Sequence, residues 1–136
     1  MKNSNYLIKL FFLLSLIIVL AGCSHKINKN YYVKTVTPAS DCSPIVIKGG
    51  SDLIQKEKIL GKINLGDTGF SVNCSKKKAF LILKEEACKL GANLINIIKE
   101  SRPNFWSSCF RCQAEFYYVP ADVFEKLKEK TYYPYD

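Results

Sequence analysis

The chain has a single histidine, His25, and it lies outside every segment that reads as a folded element. A glycine-rich phosphate loop is missing. So are paired carboxylates: Glu85 and Glu86 are neighbours, and on a helix they point to different sides. With no base and no activated nucleophile, hydrolysis has no machinery. Long apolar runs are lacking too. The run from Leu10 to Gly22 has only 13 residues, whereas a membrane-crossing helix takes about 20. Acidic residues are the minority, 12 against 20 Lys and Arg. The basic ones are scattered, and only Lys76-Lys77-Lys78 cluster.

What is there begins with the amino terminus. It starts basic, with Lys2 and Lys9, continues apolar from Leu10 to Leu20, and closes on the small residues Ala21 and Gly22. That order describes a secretory signal rather than a membrane span. Leu20-Ala21-Gly22-Cys23 resembles the bacterial lipobox. The resemblance implies cleavage before Cys23 and acylation of its sulfur and its new amine, and two or more chains hold a protein on a membrane stably. Ser24 in place of aspartate resembles outer-membrane sorting. No acidic cluster follows Cys23, which favours the periplasmic face, with the cell surface as the alternative. We read His25 as filler in a flexible tether rather than as a metal ligand.

Removing residues 1–22 leaves 114 residues with 18 basic and 12 acidic side chains, a net charge of +6. That is one domain with a tether. An exported basic chain rarely meets nucleic acid, so we expect no nucleic-acid partner. Anionic headgroups or an acidic envelope partner suit the charge, and plain solubility accounts for it equally. The chain has six cysteines. An oxidising compartment permits disulfides. With Cys23 set aside, Cys42, Cys74, Cys88, Cys109 and Cys112 remain, an odd number that cannot all pair within one chain.

Residues 23–43 read as a flexible tether that ends in the loop-like "TPASDCSP". Ile45-Val46-Ile47 is a short strand stopped by Gly49-Gly50, and Ser51 is placed to cap a turn of helix. In "KILGKINLG", Ile59, Gly61, Ile63 and Leu65 share one strand face. Phe80, Leu83, Ala87 and Leu90 recur at helical spacing, with Lys84, Glu85, Glu86 and Lys89 on the other side and Gly91 as the stop. "ANLINIIK" reads as a strand buried on both faces, or as a misread helix. Arg111 to Val119 alternates as a strand with Cys112, Ala114, Phe116 and Tyr118 on one face. The last two strands should form a hairpin with a long loop at Ser101 to Cys109. Residues 120–136 suggest a short amphipathic helix using Val123, Phe124 and Leu127, then an aromatic tail. The expected fold is α+β: a small four-stranded sheet in the order β-β-α-β-β with one main helix over residues 44–119, plus the terminal helix. A core that small often needs a covalent staple.

"LGKINLGDTGFSVNC", "KEEACKLGANLINI" and "SSCFRCQAEFYYV" together resemble a family of small bacterial lipoproteins, that of the outer-membrane stress sensor of the Rcs phosphorelay. The likeness covers roughly Pro44 to Val119. It implies a disulfide between Cys74 and Cys109, tying the loop before the helix to the end of the hairpin loop. Both cysteines sit at loop ends that can meet at one edge, and closing that loop stabilises by roughly 3.5–4 kcal/mol in the chain-entropy model. The sensor's second bond has no counterpart here, because the third strand lacks a cysteine. Cys42 and Cys112 are the candidates for a second bond. Cys88 reads as a small buried residue on the helix flank.

Cys109-Phe110-Arg111-Cys112 is a C-x-x-C. Thioredoxin-type chemistry needs that motif at a helix N-terminus, and here a strand follows it. A zinc site from Cys74, Cys88, Cys109 and Cys112 lacks the second close pair that structural zinc favours. We therefore expect no metal and no cofactor. Arg102, Phe105 and Trp106 form the candidate contact patch, since exposed aromatics with arginine make interface anchors; the alternative is that Trp106 folds onto the sheet as core. The reading is a non-catalytic, lipid-anchored envelope protein acting by binding, either in sensing envelope stress or in supporting envelope structure. The rival is a periplasmic thiol-disulfide oxidoreductase using Cys109 and Cys112.

Overall fold

The structure is a computed structural model, and it describes residues 8–13, 25–33, 41–50, 52–55, 57–67, 74–105 and 107–130. Cys23, Ser51 and Trp106 lie outside these. Residues 8–13 are helical, with Ile8, Leu10, Phe11, Phe12 and Leu13 exposed. Among the described residues no helix is long and apolar enough to cross a membrane.

The fold is α+β, built on one five-stranded sheet. Its strands are β1 (Lys26–Tyr31), β2 (Ile45–Lys48), β3 (Ile59–Gly66), β4 (Leu94–Ser101) and β5 (Arg111–Tyr117), arranged β1-β3-β5-β4-β2. β2 runs parallel to β4, and the other pairs are antiparallel. α1 (Lys76–Lys89) connects β3 to β4. Those two strands point the same way, so the connection must cross over, and a helix supplies the length. β5 returns as the second half of the expected hairpin and inserts between them. α2 (Ala121–Lys130) closes the described chain.

Four expectations need correcting. The sheet has five strands, not four. The extra one is β1, inside the stretch assigned to a tether. In "KINKNY" Ile27 and Tyr31 share a face, but Lys29 stands between them, so the alternation is too weak to mark a strand. It forms because β3 offers an unpaired edge, which β1 fills from Lys26 opposite Gly66 to Tyr31 opposite Gly61. Gly61 is required there. A Cβ at that position would sit 2.9 Å from Leu90 Cδ1 and 2.9 Å from Tyr31 Cδ1. The second correction is on β3 itself. A bulge between Ile59 and Gly61 turns Ile59 to the opposite face from Gly61, Ile63 and Leu65. Third, Tyr118 lies beyond the end of β5 and is exposed. Fourth, Glu86 is buried on α1 rather than turned to solvent.

The remaining helix signals hold. Phe80, Leu83, Ala87 and Leu90 are buried against the sheet, with Val46, Ile63, Leu65, Ile95, Ile97 and Phe116 facing them. Ser75 caps α1, its hydroxyl accepting from the Lys78 amide at 3.2 Å. Gly91 takes φ +68° just past the helix end. The other sheet face carries a second core of Ile47, Ile54, Leu94, Tyr117, Val119 and Leu127, which α2 and a 3-10 turn at Asp52–Ile54 cover. β4 feeds both cores, Leu94 one and Ile95 and Ile97 the other. That explains its near-continuous apolar run.

Candidate functional site

The cysteines divide between the two ends of α1. Cys74, just before the helix, is bonded to Cys109, with 4.9 Å between the Cα atoms. Both residues are buried. Cys88, one residue before the helix ends, is bonded to Cys42, with 5.8 Å between the Cα atoms, and this pair is half-exposed. Cys42 therefore does not pair with Cys112, and Cys88 is not the solitary packed residue expected. Cys112 is a buried free thiol. Its place on β5 points it into the core beneath α1, away from the Cys42 segment. Burial, helped by the Glu100 carboxylate, pushes its pKa up to about 12. The C-x-x-C is thus not a disulfide: one sulfur is committed to Cys74, and the other is a buried, protonated thiol. No grouping among the described residues could hold a metal ion.

The hairpin loop is shaped by its own backbone. Asn104 and Ser107 exchange backbone hydrogen bonds at 2.8 and 3.2 Å, and the Asn104 side-chain oxygen accepts from the Ser107 amide at 2.9 Å. This closes a tight turn and leaves Phe105 at its tip, 93% exposed. Arg102 and Pro103 are exposed beside it. Ser107 is buried and donates to the Asp67 carboxylate at the end of β3. A groove of about 500 Å³ runs past Ser75, Lys76, Glu100, Arg102, Pro103 and Phe110. Of the expected contact patch, Arg102 lines this groove, Phe105 is exposed on the same loop, and Trp106 lies outside the described residues.

Behind the loop sits a residue that the sequence did not mark. His25 is 4% exposed, and its Nε2 donates to the Phe110 carbonyl at 3.0 Å. Its Nδ1 is buried without a hydrogen-bond partner. Phe110 in turn donates its amide to the Cys74 carbonyl at 3.0 Å and packs on Phe80 with ring centroids 6.1 Å apart. His25 is therefore docked on the backbone that the Cys74–Cys109 bond fixes, and it is not filler.

The rest of β1 is held by charge. Lys29 reaches Glu86 at 2.8 Å, Lys89 reaches it at 3.0 Å, and the Tyr31 hydroxyl donates to it. Burial alone would raise the Glu86 pKa. The bonds from Lys29, Tyr31 and Lys89 outweigh that and hold it at about 2. Burial and the Glu86 carboxylate together push the Tyr31 hydroxyl pKa well above its usual range. The sequence placed Glu86 on the solvent side of the helix; of its partners Lys89 is on the same helix, but Tyr31 is 55 residues away in the chain and Lys29 lies on the same distant strand.

Away from the second core, the sheet face opposite α1 stays open. Its cross-strand neighbours are polar. Asn28 faces Asn64, Asn64 faces Gln113, and Gln113 faces Lys99. In the next row Lys62 pairs with Glu115 at 2.6 Å. A groove of about 370 Å³ runs over this surface. The chain matches no family model, no curated protein and no solved structure.

Proposed function

We propose that the chain is a lipid-anchored, non-catalytic envelope protein of the Rcs-sensor type, which acts by binding an envelope component. Cys23 carries the lipid, the anchor sits in the outer membrane, and the domain faces the periplasm. Envelope-stress sensing is the role. The observation that carries the reading is the pair of disulfides, Cys42–Cys88 and Cys74–Cys109, in a chain that opens with an export-type segment. Two structural bonds fit an oxidising compartment. The Cys74–Cys109 bond, and the order in which β2, β3, α1, β4 and β5 follow one another, also support the family resemblance. The contact is made through the loop at Arg102 and Phe105.

Mass spectrometry of protein extracted from its native membrane tests this. We expect residues 1–22 to be absent and Cys23 to carry acyl chains. A mass that retains the leader, or lacks the fatty groups, rejects it. Insulin reduction should be absent; a turnover dependent on Cys109 and Cys112 would restore the oxidoreductase.

A further inference from the structure

We propose that the envelope component met by the Phe105 loop is the anionic bilayer surface itself, against which the domain is held directly by its own anchor. This deepens the reading above and rests on acylation of Cys23. The leash is short. Only Ser24 separates Cys23 from His25, and two residue steps reach at most about 7 Å. His25 is not free to lengthen that leash, because it is buried and hydrogen-bonded to Phe110. β1 begins at the very next residue, already paired to β3. A lipid on Cys23 therefore cannot hold the domain at a distance.

The strand register says which end is held. Lys26 stands opposite Gly66, the last residue of β3. Leu65 stands opposite Cys112, and Arg111 opposite Ser101. The anchored end of the sheet is thus the end that carries the β4–β5 loop, the Cys74–Cys109 bond and the first turn of α1. Its surface is suited to a headgroup layer. Phe105 projects at the tip with 93% of its surface exposed. Lys26, Lys77, Lys78 and Arg102 are exposed around it, and Arg111 is half-buried. The acids at this end are engaged: Asp67 accepts from Ser107, and Glu100 pairs with Lys48 at 2.6 Å. An aromatic flanked by cations is the composition that sits at a membrane interface. Each cation near an anionic leaflet adds to the attraction, and the effect fades within a Debye length. Among the described residues the far end is mixed in charge: the exposed Lys126 and Lys128 are matched there by the exposed Asp122, Glu125 and Glu129. It carries α2 and the exposed Tyr118.

The test places a single tryptophan at each end in turn. The full, processed chain carries either Phe105→Trp with Trp106→Phe, or Tyr118→Trp with Trp106→Phe. Each is reconstituted into vesicles of phosphatidylethanolamine and phosphatidylglycerol with brominated acyl chains, and mass spectrometry verifies the lipid on Cys23. Phe105 and Tyr118 are both exposed, so tryptophan at either displaces no core side chain, and Trp106→Phe is common to the two variants. The tip tryptophan should lose emission roughly twofold or more, as an interfacially buried ring would, and the Tyr118 position should stay unquenched. Adding Arg102→Glu and Lys26→Glu should weaken the quenching. An acylated protein whose tip tryptophan is unquenched overturns the proposal and leaves the anchored reading standing. An unmodified Cys23 overturns both.

Discussion

The two ends of α1 are braced by the same chemistry in different surroundings. At the N-terminal end Cys74–Cys109 lies buried, with Phe80, Phe110 and His25 close by. At the C-terminal end Cys42–Cys88 is half-exposed and joins the helix to the segment before β2. The sequence separations, 35 and 46 residues, make the chain-entropy contributions nearly equal, about 4 kcal/mol each. Burial is what separates them. The first bond fills core space and fixes the backbone on which His25 docks; the second restrains the chain without being packed to the same degree.

Removing each bond in turn sharpens that contrast. Cys74→Ala with Cys109→Ala should cost about 4–6 kcal/mol, the loop-closure entropy plus the cavity left by two buried sulfurs. Cys42→Ala with Cys88→Ala should cost about 3–4 kcal/mol, with little cavity contribution. Denaturant unfolding measures both, and equal losses would break the comparison.

Glu86 extends the contrast to charge. It holds β1 through Tyr31 and Lys29, so Glu86→Gln should cost about 2–3 kcal/mol at neutral pH. The sign of the pH dependence follows. Its folded pKa of about 2 lies below the ordinary carboxylate value, so its contribution is full above about pH 4.3 and is lost as pH falls toward 2. Stability measured from pH 6 to pH 2 should fall in the wild type, and that fall should be shallower in the variant.

Gly61→Ala is the smallest change and the most local. Its methyl group would meet Leu90 and Tyr31 at 2.9 Å and should cost about 1–3 kcal/mol. Hydrogen exchange should rise first at the β1 amides, while those of β4 and β5 stay protected. Uniform loss of protection would mean that β1 is not a separable edge.

Much of the fold was legible because its signals are local. The Phe80, Leu83, Ala87 and Leu90 stripe, the stop at Gly91 and the β4–β5 hairpin are all set by nearby residues. β1 was not, because in "KINKNY" Lys29 interrupts the one face that carries Ile27 and Tyr31, and part of its hold comes from Glu86 on a distant helix. Cys88 was misassigned because spacing cannot fix disulfide connectivity, and a helix-flank cysteine looks the same packed or bonded. The burial of His25 was hidden for the same reason: its partner, the Phe110 carbonyl, is 85 residues away. Arg102 and Phe105 were singled out as an aromatic beside an arginine, and both are exposed on the loop between β4 and β5, where the sequence placed a loop.

We propose a cross-braced head seated on the membrane by a lipid at Cys23. The most direct test is a non-reducing peptide map of protein taken from native membranes. We expect Cys74 linked to Cys109, Cys42 linked to Cys88, Cys112 free, and a first peptide that begins at an acylated Cys23. A Cys109–Cys112 link, or an unmodified Cys23 peptide, would contradict it.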